Sequence, residues 1–357
     1  MSRPAGIRGP LPRPDYADLS RYAPDRRPVE VDLSDNTNLW GTSPGAMAAI
    51  RAADTDALAR YPLLYADDLK TAVARRHGVE AEQVTTGCGS DDVLDSLWRA
   101  LAEDGGLVSY AAPTFSMVEP LSRMNGRVTR AVPWSTALAD PDILFEGDPV
   151  MVYVCRPNNP TGHLAPLPWV ERLLTRAGDS GPVVLLDEAY ADFAGETLIP
   201  LAVGHPRAIV VRTLSKAYGL AGLRVGYGIG AEPLISEVEK SRGPYKVSRL
   251  AEAAACAALD DAEGWVARTL AQATENRGRL VAELTARGVD VFPSSANFVL
   301  VPVEAGTAID TALALRAREV AVRPFPDCPD VGDAVRVTVG PWPLMERFLA
   351  AWDARTE

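Results

Sequence analysis

Residues 208–224 read AIVVRTLSKAYGLAGLR, a short apolar run that stops at polar side chains. Such an uninterrupted apolar run is typical of a strand that is buried on both faces of a parallel sheet. The hydroxyls of Thr213 and Ser215 follow the run, then the amine of Lys216, and Arg224 comes shortly after them. A lysine is usually a solvated surface group, so an amine among small and apolar neighbours needs a reason from the rest of the chain.

Similar apolar runs occur on both sides of this stretch. DPVMVYVC (148–155), GPVVLLDEAY (181–190) and RVGYGIG (224–230) are further apolar runs. Between them lie sequences such as DDVLDSLWRALAED (91–104), in which apolar residues repeat at helical spacing. Strands that alternate with helices predict an α/β fold with a mainly parallel, doubly wound sheet.

The alternation of strand-like and helix-like segments ends at about residue 243. An Ala-rich helical stretch leads into VDVFPSSANFVLVPV (289–303) and DAVRVTVG (333–340), which predict strands of a smaller α+β unit. We therefore predict three regions: an N-terminal arm with part of the small domain over 1–40, a large α/β domain over 41–242, and a small C-terminal α+β domain over 243–357.

Composition and charge exclude several classes of function. The 357-residue chain has a formal net charge of −11, which argues against a nucleic-acid surface because such a surface needs a basic patch. Its four cysteines and three histidines are scattered, so neither a metal site nor a disulfide framework is expected. No segment supplies the roughly 20 apolar residues of a membrane helix, and the Pro- and Arg-rich residues 1–28 lack the apolar core of a signal peptide. We expect a cytoplasmic protein with no membrane or nucleic-acid partner.

Polar residues follow the ends of three apolar runs. Asn158 and Asn159 come after the first, Asp187 and Tyr190 after the second, and Lys216 with its hydroxyl neighbours after the third. Ligands of open α/β sheets bind beyond the carboxyl ends of the strands, where these groups could meet. Each group taken alone also has a structural explanation, as a turn, a helix cap or a solvated amine.

A further element is the turn TTGCGSDD (85–92), which precedes a helix whose N-terminus could receive an anion. With the strand-end groups, the chain thus offers an amide, a carboxylate, a phenol, hydroxyls, an amine and a guanidinium. This set suits an electron-poor ring that bears a phosphate and an aldehyde. The sequence therefore predicts that Lys216 forms a Schiff base with pyridoxal phosphate.

Successive motifs of the chain resemble those of the class I and II, fold-type I aminotransferases, and among them the histidinol-phosphate aminotransferase subfamily. The matching motifs extend from about residue 33 to residue 340. The resemblance implies a fold-type I pyridoxal-phosphate-dependent transferase that acts as a homodimer. The motifs are SDNTNLWGTSP, RYPLLY, GCGSDD, PTFSMV, PNNPTG, DEAYADF, RTLSKAYGLAGLRVGY, SANFVLV and VRVTVG.

The resemblance also implies a role for each matching residue around the cofactor ring. Lys216 would carry the cofactor and then move the substrate proton, and Asp187 would pair with the ring nitrogen. Tyr190 and Asn159 would hydrogen-bond the phenolate oxygen of the ring, and Phe115 would stack on its face. Phe115 has an alternative interpretation as a plain core residue.

The remaining matches concern the phosphate and the substrate. The phosphate-binding residues implied are Thr213, Ser215, Arg224, the backbone around Ser90 and Asp91, and Tyr61 from the other subunit. The substrate-binding residues implied are Arg336, Arg323, Tyr22 and Asn38, with Arg336 as the clamp for a carboxylate.

The reaction expected from this resemblance is a transamination. Glutamate or another amino donor leaves its amino group on the cofactor, and a keto or aldehyde-type acceptor then takes it. A pyridoxal-phosphate-dependent decarboxylase or oxidase of a specialised metabolite pathway is the alternative. A ligand-sensing regulator is disfavoured because the chain has no room for a DNA-binding module ahead of Leu33 and no basic patch.

Overall fold

A computed structural model describes residues 16, 19–21, 23, 25 and 27–356 of the chain. Most of the Pro- and Arg-rich residues 1–28 at the start of the predicted arm, including Tyr22, lie outside these described residues. In the described ranges, the strands form one large sheet, here called the central sheet, and two small sheets. The strands are β1 (Val31–Asp32), β2 (Val84–Cys88), β3 (Leu107–Ala112), β4 (Val128–Pro133), β5 (Met151–Cys155), β6 (Val183–Asp187), β7 (Ala208–Thr213), β8 (Val225–Gly230), β9 (Phe298–Pro302), β10 (Val320–Ala321), β11 (Arg323–Cys328) and β12 (Gly332–Thr338).

The central sheet has the strand order β2-β8-β7-β6-β5-β3-β4. Its neighbours from β4 through β7 pair in parallel, whereas β8 runs antiparallel to both β2 and β7. The apolar runs form β5, β6, β7 and β8, in which every residue is buried, and the predicted mainly parallel sheet is confirmed. Because β8 is reversed, its start lies at the edge where β5, β6 and β7 end. We call this the carboxyl edge.

Helices cover both faces of the central sheet. The helices of the described chain are α1 (Pro44–Arg51), α2 (Thr55–Ala59), α3 (Asp67–His77), α4 (Ser90–Leu101), α5 (Val118–Met124), α6 (Trp134–Ala139), α7 (Leu167–Ala177), α8 (Ala191–Ala194), α9 (Ile199–Val203), α10 (Glu232–Arg242), α11 (Arg249–Asp260), α12 (Trp265–Ala286), α13 (Ala308–Arg316) and α14 (Trp342–Asp353), of which α13 and α14 pack on the two small sheets instead. Apolar residues of α4 and α10 pack on one face, and those of α3, α7 and α9 pack on the other. None of the helices described here combines the length and apolarity needed to cross a membrane.

The two small sheets bring the ends of the chain together. β11, β12 and β9 form an antiparallel sheet, and β1 pairs in parallel with β10. The segment just before residue 40 therefore joins the C-terminal unit. Helix α11, although it follows the boundary predicted near residue 243, packs its small alanine side chains against α1 and α3 beside the central sheet. The domain limits at 40 and 242 stay a prediction.

Candidate active site

A cavity of about 700 Å³ lies at the carboxyl edge of the central sheet. Residues of β11 and β12 complete its wall, so both the central sheet and the C-terminal unit contribute to it. The structure brings together here most of the side chains predicted to form the site: Ser90, Asp91, Phe115, Asn159, Asp187, Tyr190, Thr213, Ser215, Lys216, Arg224, Arg323 and Arg336.

Lys216 lies shortly beyond the end of β7. Its Nζ donates a hydrogen bond to the backbone oxygen of Asp35 at 2.9 Å. Desolvation by burial, and next the positive charge of Arg336, lower the pKa of Lys216 from 10.5 to about 7. An amine with such a pKa is largely neutral just above pH 7, where it can act as a nucleophile and as a base.

Asp187 is the last residue of β6, and only 4% of its surface is exposed. Its Oδ2 accepts a hydrogen bond from the Tyr153 hydroxyl at 2.6 Å, and its Oδ1 accepts one from the backbone N–H of Ala189 at 3.0 Å. Burial raises the pKa of Asp187 to about 6, while these two donors oppose the rise. The cavity thus holds a carboxylate that is ionised above pH 6 and can pair with a cation.

Tyr190 and Asn159 are held by residues of the C-terminal unit and of the segment before residue 40. The hydroxyl oxygen of Tyr190 accepts a hydrogen bond from Asn36 Nδ2 at 3.0 Å. Burial raises the pKa of Tyr190 to about 12, so the phenol keeps its proton and can donate it in a hydrogen bond. The Oδ1 of Asn159 accepts a hydrogen bond from Arg336, which fixes the orientation of the carboxamide.

Hydroxyls, a guanidinium and a helix N-terminus meet at one end of the cavity. The hydroxyl of Thr213 donates to Ser215 Oγ at 2.9 Å, and Arg224 Nη1 donates to the same oxygen at 3.3 Å. Helix α4 begins at Ser90, where its free backbone N–H groups favour an anion. The carboxylate of Asp91 lies 3.4 Å from Arg224 Nη2, so an anion bound here competes with it for the guanidinium.

Two glycines let the backbone close around this anion-binding end. Gly89 has φ +82°, and a Cβ at this position would collide with the guanidinium of Arg224. A Cβ on Gly226 would collide with the backbone nitrogen of Ser90. Gly226 is therefore required for the close approach of β8 to the start of α4, and Gly89 for the positive φ of the turn that precedes this helix.

Arg323 and Arg336 form the opposite wall, where they face each other as register partners on β11 and β12. Arg336 is 6% exposed, and its guanidinium lies 5.3 Å and 5.5 Å from the ring centres of Phe298 and Phe325. Arg323 Nη2 lies 3.1 Å from a carboxylate oxygen of Asp35. This wall can bind a carboxylate or a phosphate through planar, bidentate hydrogen bonds.

Two of the predicted site residues lie away from the cavity lining. Tyr61 is 77% exposed and stacks on Tyr245 with 4.8 Å between the ring centres. The Nδ2 of Asn38 donates to the backbone oxygen of Ala217, and its Oδ1 accepts from the backbone N–H of Trp40. Asn38 thus ties its own loop to the segment that follows Lys216.

Several residues of the site were missed by the sequence analysis. Asp35 and Asn36 precede Asn38 in the same SDNTN motif, and their side chains reach the cavity. Phe325 lies two residues after Arg323 on β11, on the same face, so strand periodicity was a signal that pointed to it. Tyr153, which holds Asp187, is part of an apolar run and was indistinguishable from a core residue.

These groups fit pyridoxal phosphate. An anion-binding end, a buried carboxylate suited to a cationic ring nitrogen, and an amine of lowered pKa share one cavity. The glycine-dependent cradle at the start of α4 matches the need of a phosphate for backbone N–H donors. No group of three or more His, Cys, Asp or Glu side chains in the described part of the chain could hold a metal ion.

Comparison with known proteins agrees with this interpretation of the cavity as a pyridoxal phosphate site. The model of the family "Aminotransferase class I and II" matches residues 28–351. The chain is 39% identical to a histidinol-phosphate aminotransferase of Aromatoleum aromaticum, over 90% of this chain and 92% of that protein. It is 38% identical to histidinol-phosphate aminotransferase 2 of Gluconobacter oxydans, over 94% of this chain and 95% of that protein.

A solved structure extends the comparison to the fold. The histidinol-phosphate aminotransferase of Sinorhizobium meliloti in complex with pyridoxal-5'-phosphate superimposes with a TM-score of 0.85 at 26% identity, covering 96% of each chain. The predicted fold-type I architecture and its cofactor, pyridoxal phosphate, are thereby confirmed. The chain belongs to the aminotransferase class I and II family and is a pyridoxal-phosphate-dependent aminotransferase similar to histidinol-phosphate aminotransferases.

Proposed function

We propose that this aminotransferase moves an amino group between glutamate and a keto or aldehyde-type acceptor, with histidinol phosphate and its keto counterpart as the second substrate pair. The observation that carries this proposal is the wall formed by Arg323 and Arg336 in the cavity of Lys216. Arginine forks bind carboxylates and phosphates alike, as a donor acid and a phosphorylated acceptor require. The names of the relatives from A. aromaticum and G. oxydans support histidinol phosphate as the phosphorylated substrate.

The residues of the cavity can be assigned to the parts of the cofactor. Bound pyridoxal phosphate supplies an electron-withdrawing ring that stabilises negative charge at the substrate carbon. Asp187 would pair with the ring nitrogen, Tyr190 and Asn159 would donate hydrogen bonds to the ring oxygen, and Phe115 would cover the ring. The phosphate would bind at the anion-binding end, with Thr213, Ser215, Arg224 and the backbone of Ser90 and Asp91.

Lys216 is the group that moves the proton. Its lowered pKa of about 7 leaves a large fraction of the amine neutral at physiological pH, so Nζ can accept the proton from the substrate's amine-bearing carbon and would donate it to the carbon of the cofactor's former aldehyde. An ordinary lysine with a pKa of 10.5 would be protonated and inactive as a base. The burial of Lys216 therefore contributes to its activity as a base by lowering its pKa.

The two arginines have different surroundings, which suggests different tasks. Arg336 donates to the oxygens of Asn159 and Ser34 and is only 6% exposed, so its attraction for an anionic substrate group is weakly screened by water. Arg323 lies beside the carboxylate of Asp35, with which a substrate anion must compete. We assign the carboxylate of the amino donor to Arg336 and the variable end of the substrate to Arg323.

Arg336→Lys tests this assignment. A lysine ammonium cannot form the bidentate fork, so we expect the KM for glutamate to rise about 10- to 100-fold, with a smaller change in kcat. Steady-state kinetics with purified holoenzyme gives both constants. Arg279→Lys, at an exposed arginine that stacks on Trp342 on the protein surface, is the matched control and should change neither. An unchanged KM in Arg336→Lys would contradict the assignment.

The proposed substrates are tested by adding amino acids and histidinol phosphate singly to the loaded protein. We expect glutamate and histidinol phosphate to bleach the visible absorbance of the bound cofactor, with release of the 2-oxo acid or ketone. Bleaching by other amino acids alone would contradict this substrate pair. Release of carbon dioxide or peroxide in place of the keto product would instead support the decarboxylase or oxidase.

We propose that the active unit is a homodimer. Tyr61 and Leu58, exposed by 77% and 72%, lie with Leu63, Leu64 and Tyr245 on one surface. This exposed apolar cluster suits burial against a second copy of the chain. In such a dimer Tyr61 would contribute to the phosphate site of the other subunit, as the family resemblance implies.

The dimer is tested by light scattering of the holoenzyme. We expect twice the mass of the chain, and we expect Leu58→Asp to yield monomers that bind pyridoxal phosphate at least about tenfold more weakly, because each site loses a Tyr61. Leu313→Asp, at a half-exposed leucine on α13, is the control and should remain dimeric. A monomeric wild-type enzyme with full activity would contradict the proposal.

We also propose a cytoplasmic location. Cys88, Cys155, Cys256 and Cys328 are all free thiols in the structure, and free thiols with no disulfide are typical of reducing compartments.

A further inference from the structure

The side chain of Tyr153 makes a contact that the roles assigned so far do not use. Tyr153 lies in β5, next to β6 in the middle of the central sheet, and only 1% of it is exposed. Side chains alternate along strands, so Tyr153 and Cys155 of β5 lie on the same face of the sheet as Leu185 of β6. From there the hydroxyl of Tyr153 donates to Asp187 Oδ2 at 2.6 Å.

This hydrogen bond acts on a carboxylate that burial disfavours. Burial raises the pKa of Asp187, nearby negative charges raise it further, and the donors from Tyr153 and Ala189 lower it. Of these influences, the Tyr153 hydroxyl is the side-chain donor to the carboxylate, so it can be removed by a single substitution. The titratable or charged groups that face Asp187 are Asp91 on α4, Tyr153 and Cys155 on β5, Glu188 and Tyr190 beyond β6, and Lys216 beyond β7.

We propose that Tyr153 is a positioning residue for the transamination, whose buried hydroxyl keeps the carboxylate of Asp187 ionised so that it can pair with the cationic ring nitrogen of pyridoxal phosphate. The inference rests on the role proposed above for Asp187. The ring of Tyr153 also packs against Trp98, with 6.2 Å between the ring centres. The proposal gives the hydroxyl of Tyr153 a role beyond this packing.

The test is the dissociation constant of pyridoxal phosphate for the cofactor-free protein, measured across pH in the wild type and in Tyr153→Phe. Pairing with the ring nitrogen requires ionised Asp187, so affinity falls as pH drops through the pKa of that carboxyl. A hydrogen bond to a charged group is strong enough to move this midpoint by about one pH unit. We therefore expect Tyr153→Phe to shift the midpoint upward by about one unit, with a loss of about fivefold at pH 6 and little loss at pH 8.

Two controls separate this effect from damage to the fold. Tyr227→Phe removes the hydroxyl of another buried tyrosine of the same sheet, which contacts His77, and should leave the profile unchanged. In an Asp187→Asn background, Tyr153→Phe should cause no further pH-dependent change, because no carboxylate remains to be held.

Each outcome decides the question. A loss of affinity that is equal at all pH values, or that persists in the Asp187→Asn background, would show a structural role and overturn the proposal. An unshifted midpoint in Tyr153→Phe would overturn it as well. Failure of the wild-type protein to bind pyridoxal phosphate would instead overturn the proposed function, so the two failures are distinguishable.

Discussion

Lys216→Ala is expected to lower kcat/KM by at least about 10⁴-fold, because the variant lacks both the amine that carries the cofactor and the base that moves the proton. The amine is suited to both tasks by its position beside Asp187 and Tyr190 and by its lowered pKa. Transamination assays with glutamate and histidinol phosphate measure the loss. Added primary amines should restore a small part of the activity, since they can replace the missing base.

The matched control is Lys240→Ala, which removes an exposed lysine of α10 that pairs with Glu237. It should retain wild-type kinetics. Comparable activity of Lys216→Ala and Lys240→Ala would show that the amine of Lys216 takes no part in the reaction.

Asp187→Asn is expected to lower kcat by about 10²- to 10³-fold. The asparagine retains the shape of the side chain, but a neutral amide cannot pair with a cationic ring nitrogen. Steady-state kinetics at saturating cofactor isolates this effect from weaker cofactor binding. Asp310→Asn, at an exposed position on α13, should be neutral. A kcat for Asp187→Asn within a few-fold of wild type would contradict the role of this carboxylate.

The same variant should make the cofactor-free protein more stable at pH 8. The folded-state pKa of Asp187 is raised from 3.8 to about 6, so the folded protein loses stability as pH rises through this interval and the loss is complete above it. Asparagine removes that loss, which is on the order of 3 kcal/mol. Urea unfolding should show the gain at pH 8 and its disappearance towards pH 4. Lower stability of the variant at every pH would mean that the carboxylate is structural.

The central sheet was predictable because strands buried on both faces have a distinctive sequence pattern. The uninterrupted apolar runs of β5, β6 and β7 mark their positions, and the polar residues at their ends mark the carboxyl edge. The reversed direction of β8 was not predicted. The connection of residues 214–224 contains only the short turn Ala221–Leu223 and no α-helix, and a parallel crossover normally needs a helix. The missing helix is thus the signal for an antiparallel strand.

The parts of the site that sequence reasoning missed share a physical cause. Asp35 acquires its place only when the C-terminal unit packs against the carboxyl edge, and no local pattern reports such a contact. The period of β11 points to Phe325 only once Arg323 is known to face the cavity. Tyr153 stands in a run whose other members are core residues, and its polar atom is revealed only by the register of β5 against β6. Arg323 and Arg336 also reach the cavity from the C-terminal unit, and they were predicted through the family resemblance rather than from a local pattern.

The amine of Lys216 is expected to bind the aldehyde of pyridoxal phosphate. The direct test is to incubate the protein with pyridoxal phosphate, reduce it with borohydride and map the added mass by peptide mass spectrometry. The chain contains four lysines, and we predict the cofactor on the peptide of Lys216, with labelling that rises as pH increases through about 7. Cofactor found only on Lys70, Lys240 or Lys246, or on no lysine, would show that Lys216 does not bind the cofactor.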